Sequence, residues 1–412
     1  MALTVDPHRV IKELRELANF GRCGAGVERR ALTPIDVEAR RWLLTRMLDA
    51  GLTAQIDAVG NVVGRTSHER RLLIGSHTDT VPKGGWLDGA LGVIAGLEIA
   101  RAVNQSDRNA AVGVEVVSFV DEEGYFHHLL GSKVFSGELS LADARTLRNV
   151  EGQTLAAALA AGNLASDTLA RLDPLQHIAY LELHIEQGPV LETSRTQLGL
   201  VTDIVGIRQD RVTFFGEPNH AGTTPMNLRH DAAACLFGFA VDWAASCRAL
   251  AGSNTVWNLG QIELDPGAHN VVAGRAVAIC QYRDVDTERL QRMSAAIRES
   301  AAKAAVAHRT EFLIEEQAAV SPTAMHPKLI NALEVSASAL GATVRRMPSG
   351  AGHDAMIVGR HIPAGMLFVP SKGGVSHSMV EDTEQPDIRR GIEVLAGAVD
   401  QLTHSAFGHL YE

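Results

Sequence analysis

The chain has 412 residues, 46% of them hydrophobic and 21% charged, and its 48 acidic against 38 basic side chains leave a formal net charge of −10. That is a globular composition long enough for two or three domains, and its acidic balance argues against a nucleic-acid partner, which needs basic patches. Four scattered cysteines without CxxC spacing, an opening segment without an apolar signal core, and no run near the ~20 apolar residues that span a bilayer exclude a disulfide scaffold, secretion and a membrane partner, and point to the cytoplasm.

In chain order, residues 9–19 read as a helix. Thr33-Pro34-Ile35-Asp36 opens a second one, with Thr33 as cap, Pro34 in the first turn and Asp36 completing a capping box. β-rich runs follow at Ala54–Val63, Leu72–Ile74, Val112–Val120 and Tyr180–Leu183, with a helix over Gly89–Val103 and an Ala-rich helical surface over 141–171. From about Gly206 the style changes to a strand (Arg211–Phe215), a helix (His230–Leu250), two strands (Val256–Ile262, Arg275–Tyr282), a helix (Thr287–His308) and a strand (Glu311–Ile314). This is the βαββαβ order of a split-βαβ sandwich. A strand at Met366–Val369 and a helix at Arg389–Leu402 then resume the first pattern. The expected fold is therefore α/β: a mixed-sheet domain with helices on both faces, formed by residues 1–205 and 319–412, and interrupted by an inserted βαββαβ domain over 206–318.

Seventeen histidines are the unusual figure, and their placement carries the chemistry. The apolar strand Leu73-Ile74 runs out into His77 and Asp79, and Asp88 follows at the start of a helix. Val116–Val120 runs into Asp121-Glu122-Glu123, Tyr180–Leu183 into His184 and Gln187, and Met366–Val369 into His377. Ligand sites in open α/β sheets gather beyond the carboxyl ends of the strands, so one cavity could hold all four sets. Three imidazoles and three carboxylates suit a pair of first-row divalent ions. A bridging carboxylate would hold the two ions about 3.5–4 Å apart around a shared water. Of the adjacent glutamates one could bind metal while the other stays free as a general base. Asp79 could accept from the second ring nitrogen of His77 and fix its tautomer.

The segments GSHTDTVPKGGWLDGALGV, DEEG, LELHIEQGPVLE, PNHAGTTPM, SGAGHDAM and GGVSHS, in order along nearly the whole chain, resemble the hydantoinase/carbamoylase branch of the M20 metallo-amidohydrolases. That resemblance implies a metal-dependent hydrolase cleaving a linear C–N amide or ureido bond of an N-carbamoyl amino acid or related ureido acid. It implies two divalent ions (zinc, manganese, cobalt or nickel), one on His77, Asp88 and His184 and one on Asp88, Glu123 and His377, with Glu122 as the general base. The inserted domain would be a lid and dimerisation domain, the protein a homodimer whose lid residues complete the neighbouring active site. His220 would polarise the scissile carbonyl, Asn270 and Arg283 would clamp the substrate carboxylate, Gln187 would bind the ureido group, and His353 would line the pocket.

Two departures from the family pattern stand out. The run Tyr125–Gly131 is shorter than usual and carries His127 and His128. Gln281 replaces a frequent acid two residues before Arg283, which removes a charged partner for the guanidinium. Competing readings are an N-acyl-amino-acid hydrolase or dipeptidase on the same fold and a metal-stabilised binding protein that does no catalysis. A nucleotide-binding enzyme is a third, but neither glycine-rich piece follows a strand with GxGxxG spacing.

Overall fold

The computed structural model describes residues 3–106, 110–164 and 166–404; the outer ends of the expected first and third spans, and Ala165 within the Ala-rich stretch, lie outside them. The chain divides into two compact units, Met1–Thr202 with Ala324–Glu412, and Asp203–Thr323.

In the first unit Asp6 caps α1 (Pro7–Ala18) by accepting from the amides of His8 and Arg9. Thr33 caps α2 (Pro34–Asp49), with Pro34 in the first turn. Asp36 does not close the expected capping box. It turns into the core, where its Oδ2 accepts from the Leu32 amide and from Arg40 Nε, each at 2.7 Å. The run 54–63 is also not one strand. β1 (Thr53–Ile56) and β2 (Val62–Arg65) form an antiparallel hairpin, because the buried Asp57 carboxylate takes the amides of Val59, Gly60 and Asn61 and folds the chain back. β3 (Arg71–His77), α3 (Ala90–Gln105) and β4 (Gly113–Phe119) follow. The Ala-rich stretch holds two short helices, α4 (Leu141–Thr146) and α5 (Leu155–Ala161), each capped by a hydroxyl, Ser140 and Thr154. β5 (His177–Ile185) and β6 (Leu198–Ile204) complete the first pass.

The second unit contains β7 (Gly206–Phe215), α6 (Ala232–Leu250), β8 (Val256–Asp265), β9 (Arg275–Asp284), α7 (Thr287–His308) and β10 (Glu311–Val320), the βαββαβ order. Its antiparallel sheet has the order β8-β9-β7-β10. A two-residue ribbon pairs Asn219–His220 with Val271–Val272. α6 is 19 residues long and apolar enough to cross a membrane by length and composition, which the sequence reading did not register. Its face Cys235, Leu236, Phe239, Trp243, Cys247 is buried with Phe214, Tyr282 and Met293 in this unit's core, while Phe237 and Val241 on the same helix are exposed.

The chain returns to the first unit with α8 (Pro327–Ala339), β11 (Ala364–Val369) and α9 (Gln385–His404). The first unit's nine-stranded sheet is mixed. Its centre is four parallel strands in the order β11-β5-β3-β4, flanked by antiparallel β6 on one side and by β2 and β1 on the other. The four parallel strands are buried along their whole length, as expected of a sheet covered by helices. α3 packs on β3, β4 and β5, while α8 and α9 pack on β11.

Arg40 ties α2 to this sheet. It is fully buried, with Nε on Asp36, Nη1 donating to the Gly60 carbonyl at 3.0 Å and Nη2 at 3.8 Å from Asp79 Oδ1. Arg40→Ala would strand the Asp36 carboxylate without a counter-charge. Chemical denaturation is expected to show a loss of about 3–5 kcal/mol; a loss below about 1 kcal/mol would show that the ion pair is not a structural anchor.

Candidate metal centre

The parallel centre of the sheet ends at one edge, and the chemistry-bearing side chains leave from it. β3 ends at His77, β4 runs into Asp121–Glu123, β5 carries His184 and leads to Gln187, and the loop after β11 leads to His377. Asp121, Gln187 and His377 all adopt left-handed backbone, with φ of 58°, 58° and 51°, a conformation that non-glycine residues seldom take outside functional turns. Gly89, after Asp88, has φ 63°, and a Cβ there would lie 2.4 Å from His77 Nε2. Only glycine lets the start of α3 approach the imidazole.

Asp88 is the centre of the arrangement. Its Oδ1 lies 3.2 Å from His184 Nε2 and 4.0 Å from His77 Nε2, and its Oδ2 lies 3.2 Å from His377 Nε2. His377 Nε2 is in turn 3.6 Å from Glu123 Oε1, and His77 Nε2 is 3.8 Å from Glu122 Oε2. The ligand atoms of His77, Asp88 and His184 converge within 4.8 Å of one another, and so do those of Asp88, Glu123 and His377. One carboxylate thus belongs to two donor sets, one oxygen facing each.

The imidazoles are aimed by backbone carbonyls. His77 Nδ1 bonds the Asp79 carbonyl at 2.9 Å, and His184 Nδ1 bonds the Ile185 carbonyl at 2.8 Å. Each ring therefore presents Nε2 to the centre. For Asp79 this corrects the expected contact: its main-chain oxygen, not its carboxylate, fixes His77, since the carboxylate oxygen stands 4.0 Å from Nδ1. The carboxylate has a different task. It accepts from the amides of Asp121 (3.0 Å) and Glu123 (3.2 Å) and so holds the turn that carries Glu122. Asp121, which the sequence reading gave no role, closes that turn from inside by accepting from the amides of Tyr125, Phe126 and His127.

The electrostatics fit a cationic occupant. Burial, then Glu123, Asp354 and Asp88, hold the Glu122 carboxyl well above the usual carboxylate range; burial, then Asp88 and Asp79, do the same to Glu123. Burial would lower the His184 imidazole, but the Asp88 hydrogen bond and charge outweigh it and raise it to about 9. The Asp88 hydrogen bond also raises His377. Glu123 Oε1 is buried and has no hydrogen-bond partner among the described residues. Carboxylates crowded against one another, an orphaned buried oxygen and imidazoles presenting Nε2 are the donor set that divalent first-row ions favour.

Gln187 lies within the centre, its Nε2 donating to Asp88 Oδ2 and Oδ1 at 3.1 and 3.2 Å. His353 is buried edge-on to His184, ring centroids 4.5 Å apart, with its Nε2 on Ser349 Oγ at 2.9 Å. His127 and His128 turn to main-chain oxygens, His128 Nδ1 reaching the Glu122 carbonyl at 2.6 Å. Three buried acids beneath the site were not foreseen: Glu182, Asp354 and Glu381. Glu182 accepts from Ser76 Oγ at 2.6 Å.

In the second unit, His220 is exposed on the two-residue ribbon, and its Nδ1 accepts from the amides of Gly222 (3.0 Å) and Thr223 (3.2 Å). The Asn270 carbonyl takes the Ala221 amide at 3.0 Å, so these two residues are neighbours. Arg283 is not with them. It pairs in register with Ile207, whereas the ribbon leaves the sheet beyond the Arg275–Phe215 pair, eight residues and about 26 Å along the strand. Gln281 proves to be a partner for Arg283 after all, its Oε1 accepting from Nη2 at 2.9 Å and Nε at 3.2 Å.

The peptidase family M20/M25/M40 profile matches residues 73–401, and the chain belongs to that family. It is 36% identical over 406 residues to an N-carbamoyl-L-amino-acid amidohydrolase of Paenarthrobacter aurescens, covering 96% of this chain and 97% of that one. It is 33% identical over 399 residues to an allantoate amidohydrolase of Bacillus subtilis, covering 94% and 96%. Among solved structures, a hydantoinase/carbamoylase family amidase from Burkholderia phymatum superposes with a TM-score of 0.91 at 44% identity over 100% of both chains.

Glu123, His184 and His377 hold protons more tightly than usual, and an ion bound by this candidate set would have to displace them. Metal affinity is expected to rise between about pH 6 and 8, with net proton release in calorimetry run in buffers of different ionisation heat. An affinity flat across that range would contradict the electrostatic description.

Proposed function

We propose that the chain is a two-ion amidohydrolase that cleaves the ureido C–N bond of an N-carbamoyl amino acid or a related ureido acid. The observation that carries this reading is the double-faced Asp88, with His77 and His184 against one oxygen and His377 against the other. His77, Asp88 and His184 would hold one divalent ion and Asp88, Glu123 and His377 the other. When bound, the ions supply Lewis acidity, lowering the pKa of water and polarising the carbonyl. The substrate class is drawn from the relatives, which include N-carbamoyl-L-amino-acid and allantoate amidohydrolases.

The chain's own groups then divide the work. Glu122, which would give up its own proton once bound cations offset the neighbouring carboxylates, takes a proton from the attacking water and returns it to the leaving nitrogen. The Asp79 carboxylate, by gripping the amides on either side of Glu122, keeps that carboxylate aimed at the bond. His220, whose Nδ1 is occupied as an acceptor, carries its neutral-ring proton on Nε2 and so offers a donor to the developing oxyanion. Asn270 beside it and Arg283 supply polar and cationic groups for the substrate carboxylate, and Gln187 a side-chain amide for the ureido end. For a ureido substrate, the products are the amine and carbamic acid, which decomposes to ammonia and carbon dioxide.

His220 and Asn270 stand at one end of the second unit's sheet and Arg283 near the other. The strand rise from Arg283 to the start of the ribbon, about 26 Å, is more than one small substrate spans. This supports a homodimer in which each active site takes His220 and Asn270 from one subunit and Arg283 from the other. Mixing inactive H220A with inactive R283A is then expected to restore up to about a quarter of the wild-type rate, since half the dimers are mixed and one site in each is intact. No recovery would place all three residues in the same chain's site.

Two assays test the activity. Metal-replete protein is expected to release ammonia from at least one of N-carbamoyl-α-amino acids, N-carbamoyl-β-alanine and allantoate, and to stop when chelated. Amine release from N-acetyl amino acids or dipeptides alone would move the function to an aminoacylase or dipeptidase. Glu122→Gln is expected to bind metal normally and lose about 10²–10⁴ in kcat; a variant retaining more than about a tenth of the rate would remove Glu122 as general base.

A further inference from the structure

Asp88 and His377 meet at 3.2 Å although they arrive on separate loops, and His377 does so with little support of its own. It is 52% exposed, sits in left-handed backbone, and follows a short turn over Lys372–Gly374. The packing that aims His77 and His184, both inside buried strands, is lacking here. What joins the two loops is Glu381, which is 2% exposed and contributes to neither donor set. Its Oε1 accepts from the backbone amides of Leu87 (3.2 Å) and Asp88 (3.1 Å), and its Oε2 accepts from the hydroxyl of Ser376 at 2.8 Å, the residue before His377.

The following two residues reinforce the stitch. Asp382 accepts from Trp86 Nε1 at 3.3 Å, and Thr383 Oγ1 donates to the Pro370 carbonyl at 2.8 Å. The seat is tight: a Cβ at Gly85 would fall 1.9 Å from Glu381 Oε1. The Glu381 carboxylate takes two backbone N–H groups on one oxygen and a hydroxyl on the other, so an apolar residue of equal size would leave three donors without partners.

We propose that Glu381 is a positioning residue: it sets the distance between Asp88 and His377, and with it the affinity for the ion held by Asp88, Glu123 and His377. This rests on the two-ion reading above.

The test titrates chelator-stripped protein with Mn²⁺ by calorimetry, for wild type, E381A, E381Q and S376A, with circular dichroism of each metal-free protein. Wild type is expected to bind two ions. E381A is expected to bind one of them about 10–100-fold more weakly at unchanged helix content, and to regain kcat at saturating Mn²⁺. E381Q keeps an oxygen for the two amides and can donate to Ser376, so it is expected to stay within about threefold of wild type. S376A, which removes only the His377 side, is expected to weaken the same ion and leave the other unchanged.

E381A with wild-type affinity for both ions would overturn the clamp and leave the two-ion reading intact. E381Q as weak as E381A would also overturn it, because charge rather than hydrogen-bonded geometry would then be responsible. Should E381A fail to fold, S376A decides, and wild-type affinity in S376A overturns the proposal. Wild type binding fewer than two ions would overturn the two-ion reading and the clamp with it.

Discussion

Everything at the carboxyl edge of the sheet is arranged around one carboxylate that must face two ways. Asp88 can do so because its backbone arrives at the start of α3 with a glycine behind it, so that the His77 ring lies where a side chain would otherwise be. Parallel pairing of β11, β5, β3 and β4 brings four chain segments to the same edge in register, and each contributes a group within reach of Asp88. A mixed sheet with antiparallel strands only at its flanks allows this, since every parallel crossover returns the chain to the same starting end and every exit falls at the same finish.

Crowding acids at one point is costly unless their orientation is enforced from outside. The enforcement comes from the main chain. Carbonyls of Asp79 and Ile185 aim two imidazoles, while the side-chain carboxylates of Asp79 and Asp121 are spent on backbone amides of the turn around Glu122. Arg40, buried between Asp36 and Asp79, carries that support back to α2. Glu122 and Glu123, which face the centre, are among the buried acids that burial and neighbouring carboxylates leave holding their protons more tightly than usual.

Much of this was legible in the residues. Apolar strands that end abruptly in His, Asp or Glu announce both a parallel sheet and its functional edge, because burial on both faces demands continuous apolar runs and chemistry must wait for the exit. The βαββαβ order of the second unit was equally plain from strand and helix lengths. What could not be read were contacts that depend on which atom of a residue does the work. That the His77 partner is the carbonyl of Asp79, and that Asp36 turns into the core, follow from backbone direction, to which spacing is blind. The 54–63 run looks like one strand because its β-rich flanks outweigh the Gly60-Asn61 pair, which is itself a turn signal and marks where the buried Asp57 carboxylate folds the chain back. Glu381 left only a faint trace, an acid four residues after a candidate ligand, and Glu182 and Asp354 left none, since a buried acid in a strand or at a helix start looks like any other until its neighbours are known.

Whether Asp88 bridges two ions is measured most directly by anomalous diffraction from crystals of the metal-loaded protein. Two peaks about 3.5–4 Å apart are expected, one beside His77 and His184, the other beside Glu123 and His377, each touching a different oxygen of Asp88. A single peak, or a pair in which Asp88 touches only one ion, would contradict the bridge.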